Sequence, residues 1–128
     1  NILFLDFIED DFLPYLYLDA SVMTMPALMG PANLPPLEAF RMKVPVVYSN
    51  MEGLEKIFGD AVYYVDPLDP KSIANAIKEI LENKEAKNNL IEKGQKKLQE
   101  INTKNEFKEF FEIVKKYRRI KQTWEFDS

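Results

Sequence analysis

The side chains able to do chemistry in this sequence are few in kind, and that shortage narrows the function at once. Neither histidine nor cysteine occurs among the 128 residues. Their absence removes zinc sites of the Cys/His kind, a thiolate nucleophile, a Ser–His pair and any disulfide framework. Carboxylates, lysines, hydroxyls and backbone dipoles remain. One stretch stands out for its small residues and its single carboxylate: Pro26-Ala27-Leu28-Met29-Gly30-Pro31-Ala32-Asn33-Leu34-Pro35-Pro36-Leu37-Glu38-Ala39. Small residues let a ligand approach the backbone closely, and a helix that follows them turns its positive end toward an anion. Pro35 and Pro36 carry no N–H, so donors must come from Ala32, Asn33, Leu34 and Leu37. Glu38, about one turn into the helix, is placed to accept hydrogen bonds from a pair of sugar hydroxyls. A plain strand–helix connection with a surface glutamate accounts for the same spacing, so spacing alone does not decide.

Other acidic groups have simpler explanations. Glu9, Asp10 and Asp11 are similar to the acid cluster of receiver domains. Such a domain needs a phosphoacceptor aspartate at the end of its third strand, and residues 44–50 contain none. Helix capping is the better account. Asp66 and Asp69 flank a Pro-Leu pair, where a turn and an N-cap explain both without a metal.

The elements that must position these groups alternate between strand and helix. Residues 2–8 form a near-continuous apolar run, the pattern of a strand covered on both faces. The acidic triplet offers an N-cap and favourable first-turn charge for a helix through Ala20, with Pro14 in its first turn. Residues 21–26 read as a second strand, 34–42 as a short helix and 44–48 as a third strand. Residues 49–58 hold a loop with one helical turn, and 61–65 a fourth strand.

Asp69 as N-cap and Pro70 at the first helical position open a helix with the apolar stripe Ile73, Ala76, Ile77, Ile80 and Leu81. The next helix carries Ala86, Leu90, Ile91 and Leu98, and Gly94 inside it weakens its continuity. A last helix aligns Phe107, Phe110, Phe111, Val114, Tyr117, Ile120 and Trp124. This order predicts an α/β fold: a parallel sheet of at least four strands, with helices on both faces, in a Rossmann-like domain. Ligands of such sheets bind outside the carboxyl ends of the strands, where the 26–39 stretch falls.

Composition bounds the rest. A chain with 46% hydrophobic and 30% charged residues is built to fold, and its length suits one domain. The net charge of -4 argues against a general nucleic-acid partner. No apolar run approaches the ~20 residues needed to span a bilayer, and the first residues do not form a signal peptide. A cytoplasmic location is expected, with peripheral attachment to the inner face of a membrane as the second option. Lys115, Lys116, Arg118, Arg119 and Lys121 form a basic cluster, and a solvated helix face is favoured over an anionic membrane surface as its explanation. The chain opens directly in an apparent buried strand without a Met, so we expect a piece of a longer protein.

From about Phe7 to Ile101 the sequence resembles the C-terminal domain of family-4 glycosyltransferases of the GT-B fold. The matching stretches are 26–30, Leu34-Pro35-Pro36-Leu37-Glu38-Ala39, Val44-Pro45-Val46-Val47-Tyr48-Ser49-Asn50, and Gly59-Asp60-Ala61 followed by Val65-Asp66-Pro67-Leu68-Asp69-Pro70. They occur in the family's order and spacing. The resemblance implies that residues 1–128 are part of a nucleotide-sugar-binding domain, with residues 105–128 packing toward an N-terminal acceptor domain. It implies a motif of two glutamates with seven residues between them, the second falling on Glu38 and binding the donor's ribose hydroxyls. The loop Gly30, Pro31, Ala32, Asn33 and Leu34 would cradle the donor diphosphate and face its sugar.

The chain departs from the pattern at three places. Gly30 replaces the first glutamate, in a Gly-Pro-x-Asn variant where Asn33 takes over polar contacts. Lys43 stands where a glycine usually ends the helix with positive φ, and Lys56 stands where a glutamate is common. The implied activity is retaining transfer of a hexose from a nucleotide-diphosphate sugar to a hydroxyl of a glycan or lipid-linked acceptor. The nucleotide sugar is a substrate, and no cofactor, metal or nucleic acid is implied. By itself this piece would transfer no sugar. The alternative is a non-catalytic binding or interaction module that descends from such an enzyme.

Overall fold

The computed structural model describes residues 2–28 and 34–103. In chain order these form α1 (Leu13–Asp19), β1 (Met23–Met25), α2 (Leu34–Arg41), β2 (Val46–Ser49), α3 (Leu54–Phe58), β3 (Tyr63–Val65), α4 (Pro70–Glu82) and α5 (Lys84–Thr103). The chain divides into two units, Asn1–Lys97 and Leu98–Ser128. The first holds the whole sheet. The described part of the second is the end of α5, and the aromatic helix expected over 105–128 lies outside the described residues.

The three strands are parallel, in the order β1-β2-β3. Thr24 pairs with Val47 and Val47 with Tyr63, so alternate side chains of neighbouring strands share a face. On one face Val47 and Val65 pack with Ala76 and Ile80 of α4, and Val22, Tyr63, Ile73, Ile77 and Leu90 close around them. On the other, the Tyr48 ring lies 5.7 Å from that of Phe58 in α3. Phe58 in turn meets Phe40 of α2 edge-on at 6.0 Å. Such aromatic pairs contribute about 0.5–1.5 kcal/mol each beyond the area they bury. Every residue of β2 is buried, as a central strand between helical layers requires. The α/β architecture with helices on both faces is as the sequence predicts.

Several local expectations are corrected. The apolar run at residues 2–8 forms no strand among the described residues, and Ile2, Leu3, Phe4 and Phe7 are 83%, 82%, 93% and 90% exposed. An apolar pattern records a preference for burial, but a strand also needs a neighbour to pair with. The described sheet accordingly has three strands where at least four were expected.

The first helix begins at Leu13 behind Phe12, with no side-chain cap. Leu81 is 55% exposed, at the margin of an α4 stripe in which Ala76 and Ile80 are fully buried. At the start of that helix the reading holds: Asp69 Oδ1 accepts from the Lys71 N–H at 2.9 Å, with Pro70 in the first turn.

Gly94 lies inside one continuous helix rather than interrupting it. It is buried because the Phe40 ring of α2 rests on its backbone. The adjacent Gln95 Nε2 donates to the Phe40 carbonyl oxygen, closing the last turn of α2 from outside. Lys93 Nζ also reaches Asp60 Oδ2 at 2.9 Å.

The end of α2 is a Schellman motif. The Lys43 N–H bonds the Phe40 carbonyl at 3.1 Å, and the Val44 N–H bonds the Ala39 carbonyl at 2.9 Å. The residue between helix and return must be left-handed, and Lys43 sits at φ 58°. A side chain there is strained by about 1–2 kcal/mol. Lys43→Gly is therefore expected to raise stability by about 0.5–1 kcal/mol, after allowance for the freer unfolded chain. Urea unfolding at matched m-values measures it, and a lower midpoint for the glycine variant would refute the strain.

Candidate functional site

The carboxyl ends of the strands gather at one edge of the sheet. From β1 the chain leaves through Pro26, Ala27 and Leu28, with the Ala27 N–H bonded to the Met25 carbonyl at 2.9 Å. From β2 it leaves through Asn50, whose N–H bonds the Val65 carbonyl of β3 at 2.8 Å. From β3 it enters a turn in which Asp66 Oδ1 accepts from the Leu68 N–H at 2.9 Å. Asp66 and Asp69 thus serve a turn and a cap. No group of three potential metal-ligating side chains occurs among the described residues.

Of the sequence-predicted site, Leu34 and Glu38 are described, while Gly30, Pro31, Ala32 and Asn33 lie outside the described residues. Leu34 is the first residue of α2, and Pro35 and Pro36 complete most of its opening turn. Of the four opening residues only Leu34 and Leu37 carry an N–H, so the positive end of this helix has few direct donors. Pro36, Leu37, Ala39 and Phe40 are buried, which anchors α2 to the sheet. Glu38 alone in this run points its carboxylate outward. The amphipathic pattern of α2 thus does two jobs: it fixes the helix and leaves the acid accessible.

The Glu38 carboxylate is not loose. The Tyr17 hydroxyl of α1 donates to Glu38 Oε2 at 3.1 Å and lies 3.4 Å from the Pro35 carbonyl oxygen. Burial, and then the neighbouring Glu38 charge and hydrogen bond, push the Tyr17 hydroxyl up to about 12. Sequence reading missed Tyr17. Its only signal was that it is one of two tyrosines on a mostly apolar helix, and its partner stands 21 residues away.

A second tyrosine, Tyr64, donates to the Gly59 carbonyl at 2.9 Å, and burial ahead of the Glu55 and Asp60 charges raises it to about 12. Both hydroxyls hold their protons more tightly when folded than an unfolded tyrosine, which ionises near pH 10. Their contribution is complete below about pH 10 and is lost as the pH rises through about 12. Denaturant midpoints should hold up to about pH 10 and then fall. A midpoint that rises over that window would contradict the assignment.

Ser49 closes β2 opposite Val65 of β3 in the parallel register. It is fully buried, and its hydroxyl has no hydrogen-bond partner among the described residues. A buried hydroxyl left unpaired costs about 1–3 kcal/mol. Sequence reading placed Ser49 within the family-like stretch without giving it a role.

A separate open groove of about 720 Å³ is lined by Asn75, Lys78, Glu79, Glu82, Asn83, Lys84 and Glu85 between α4 and α5. Its lining mixes lysine, glutamate and asparagine side chains on exposed helix faces, which a solvated surface accounts for.

Comparisons with known proteins agree with the fold. Residues 1–97 match the family described as "Glycosyl transferases group 1". The O-antigen chain mannosyltransferase B of Escherichia coli is 38% identical over 62% of this chain and 21% of its own length. An O-antigen chain mannosyltransferase of Salmonella typhimurium is 30% identical over 62% of this chain and 23% of its own. The chain thus spans about a fifth of these curated relatives. The structure of a sucrose-phosphate synthase from Thermosynechococcus elongatus superposes with a TM-score of 0.68, covering 87% of this chain and 30% of that one. At 24% sequence identity that likeness is one of fold.

Proposed function

Since this chain belongs to the group 1 glycosyl transferases, we propose that it is the donor-binding part of a retaining hexosyltransferase. The donor is a nucleotide-diphosphate sugar, and the hexose passes to a hydroxyl of a glycan or lipid-linked acceptor. The observation that carries this reading is the exposed Glu38 carboxylate, one turn into α2 and held by Tyr17. A carboxylate with a free oxygen is the acceptor that a vicinal pair of ribose hydroxyls requires. Backbone amides of Ala32, Asn33 and Leu34 would face the diphosphate, and Gly30 and Pro31 would let it approach. Their dipoles stabilise the charge that develops on the departing diphosphate, which needs neither histidine nor cysteine.

Two relatives bear the name of mannosyltransferases, which supports mannose as the hexose. No described helix is long and apolar enough to cross a membrane, and a cytoplasmic site of action fits a nucleotide-sugar donor. A second reading, a non-catalytic module on the same fold, rests on Gly30 in place of the sugar-facing glutamate. Calorimetric titration with UDP, GDP and ADP tests the proposal: one of them should bind saturably and better than inorganic phosphate. Binding of none, or of phosphate equally well, would remove the nucleotide site.

A further inference from the structure

We propose that Tyr17 is a positioning residue for nucleotide recognition: its hydroxyl, 3.1 Å from Glu38 Oε2 and 3.4 Å from the Pro35 carbonyl oxygen, fixes the carboxylate so that Oε1 meets the ribose hydroxyls. This rests on the reading of Glu38 given above and adds a residue to it. An exposed glutamate samples many rotamers, and ordering it costs binding free energy. Here that ordering is done before the nucleotide arrives. The donor comes from α1, while the carboxylate and the Pro35 carbonyl come from the first turns of α2. One hydroxyl therefore ties the acid to the helix start that is proposed to meet the diphosphate.

Tyr17 is half-buried between the two helices, and its hydroxyl stays protonated up to about pH 12, so it remains a donor wherever nucleotides bind. Engaging Oε2 alone leaves the second oxygen unclaimed by this contact, which suits a ligand that offers two adjacent hydroxyls. A tyrosine that only filled space would leave no mark on the choice between ribose and a sugar lacking those hydroxyls. That difference separates positioning from packing.

The test uses the unaltered chain, Tyr17→Phe, Glu38→Ala and the double variant, each shown to be folded by circular dichroism. Each is titrated with UDP and GDP and with their 2′,3′-dideoxy counterparts. Tyr17→Phe should lose about three- to tenfold in affinity for the better-bound ribonucleotide and nothing for its dideoxy form. The double variant should bind no more weakly than Glu38→Ala alone, because Tyr17 acts through that carboxylate. Equal losses for the ribo and dideoxy forms would reduce Tyr17 to packing and overturn the proposal. Unchanged binding by Tyr17→Phe beside weakened binding by Glu38→Ala would overturn it while leaving the Glu38 site intact. Unchanged binding by Glu38→Ala, or no nucleotide binding by the unaltered chain, would remove the site and this proposal with it.

Discussion

Glu38→Ala is expected to weaken nucleoside-diphosphate binding roughly tenfold or more, with little change in stability. A hydrogen bond to a charged group is worth about 1.5–3 kcal/mol, and truncation to alanine removes both the charge and the acceptor. Stability should hardly move, because Glu38 is exposed while its neighbours Leu37, Ala39 and Phe40 do the packing. Alanine is also the better helix former, by a few tenths of a kcal/mol or so. The Tyr17 hydroxyl loses its partner but keeps the Pro35 carbonyl within 3.4 Å. Calorimetry on the folded variant measures the effect. Wild-type affinity would take Glu38 out of the site.

Gly94→Ala should destabilise the domain by about 1–3 kcal/mol, the reverse of what a helix interior normally gives. A Cβ at that position would stand 2.7 Å from Cδ1 of Phe40, 3.1 Å from Cγ and 3.2 Å from Cε1. Phe40 is 2% exposed and its ring abuts Phe58, so it has nowhere to retreat. The usual gain of about 0.5–1 kcal/mol from replacing a helical glycine is outweighed by this overlap. Both the Gln95 bond to the Phe40 carbonyl and the seating of α5 on α2 would shift with it. For a domain of this size each kcal/mol lowers the melting temperature by about 4–8 °C at the small end of the range and less at the large end. A variant that melts at or above the unaltered chain would show that the close approach is not a constraint.

These two residues also mark how far the sequence could be read. Asp69 and Pro70 announce α4 because cap and first-turn chemistry are local, and the run at 44–48 announces a central strand because both faces of β2 are covered. Residues 2–8 carry the same apolar signal but form no strand, since pairing depends on a neighbour that composition does not reveal. Gly94 reads as a weak point within its helix, and the Phe40 ring across the helix interface explains its place there. Lys43 is the opposite case: the expected left-handed residue is found at φ 58°, because the Schellman turn demands that conformation whatever side chain occupies it. In the candidate site, spacing left Glu38 undecided and the family resemblance singled it out; the structure adds that it is exposed on α2. Tyr17 was not, because its role exists only once α1 and α2 are brought together. The loop from Gly30 to Asn33 lies outside the described residues, so its part remains the expectation set by its small residues and backbone donors.

The central claim is that a nucleoside diphosphate sits where the loop after β1 enters α2. Backbone amide signals of isotopically labelled protein, followed while UDP or GDP is added, test it most directly. The account predicts that the amides of Ala32, Asn33 and Leu34 shift most, with Glu38 next and the mixed-charge groove at Asn83 to Glu85 unmoved. Shifts concentrated in that groove, or in residues 105–128, would contradict it and return the 26–39 stretch to a plain strand–helix connection.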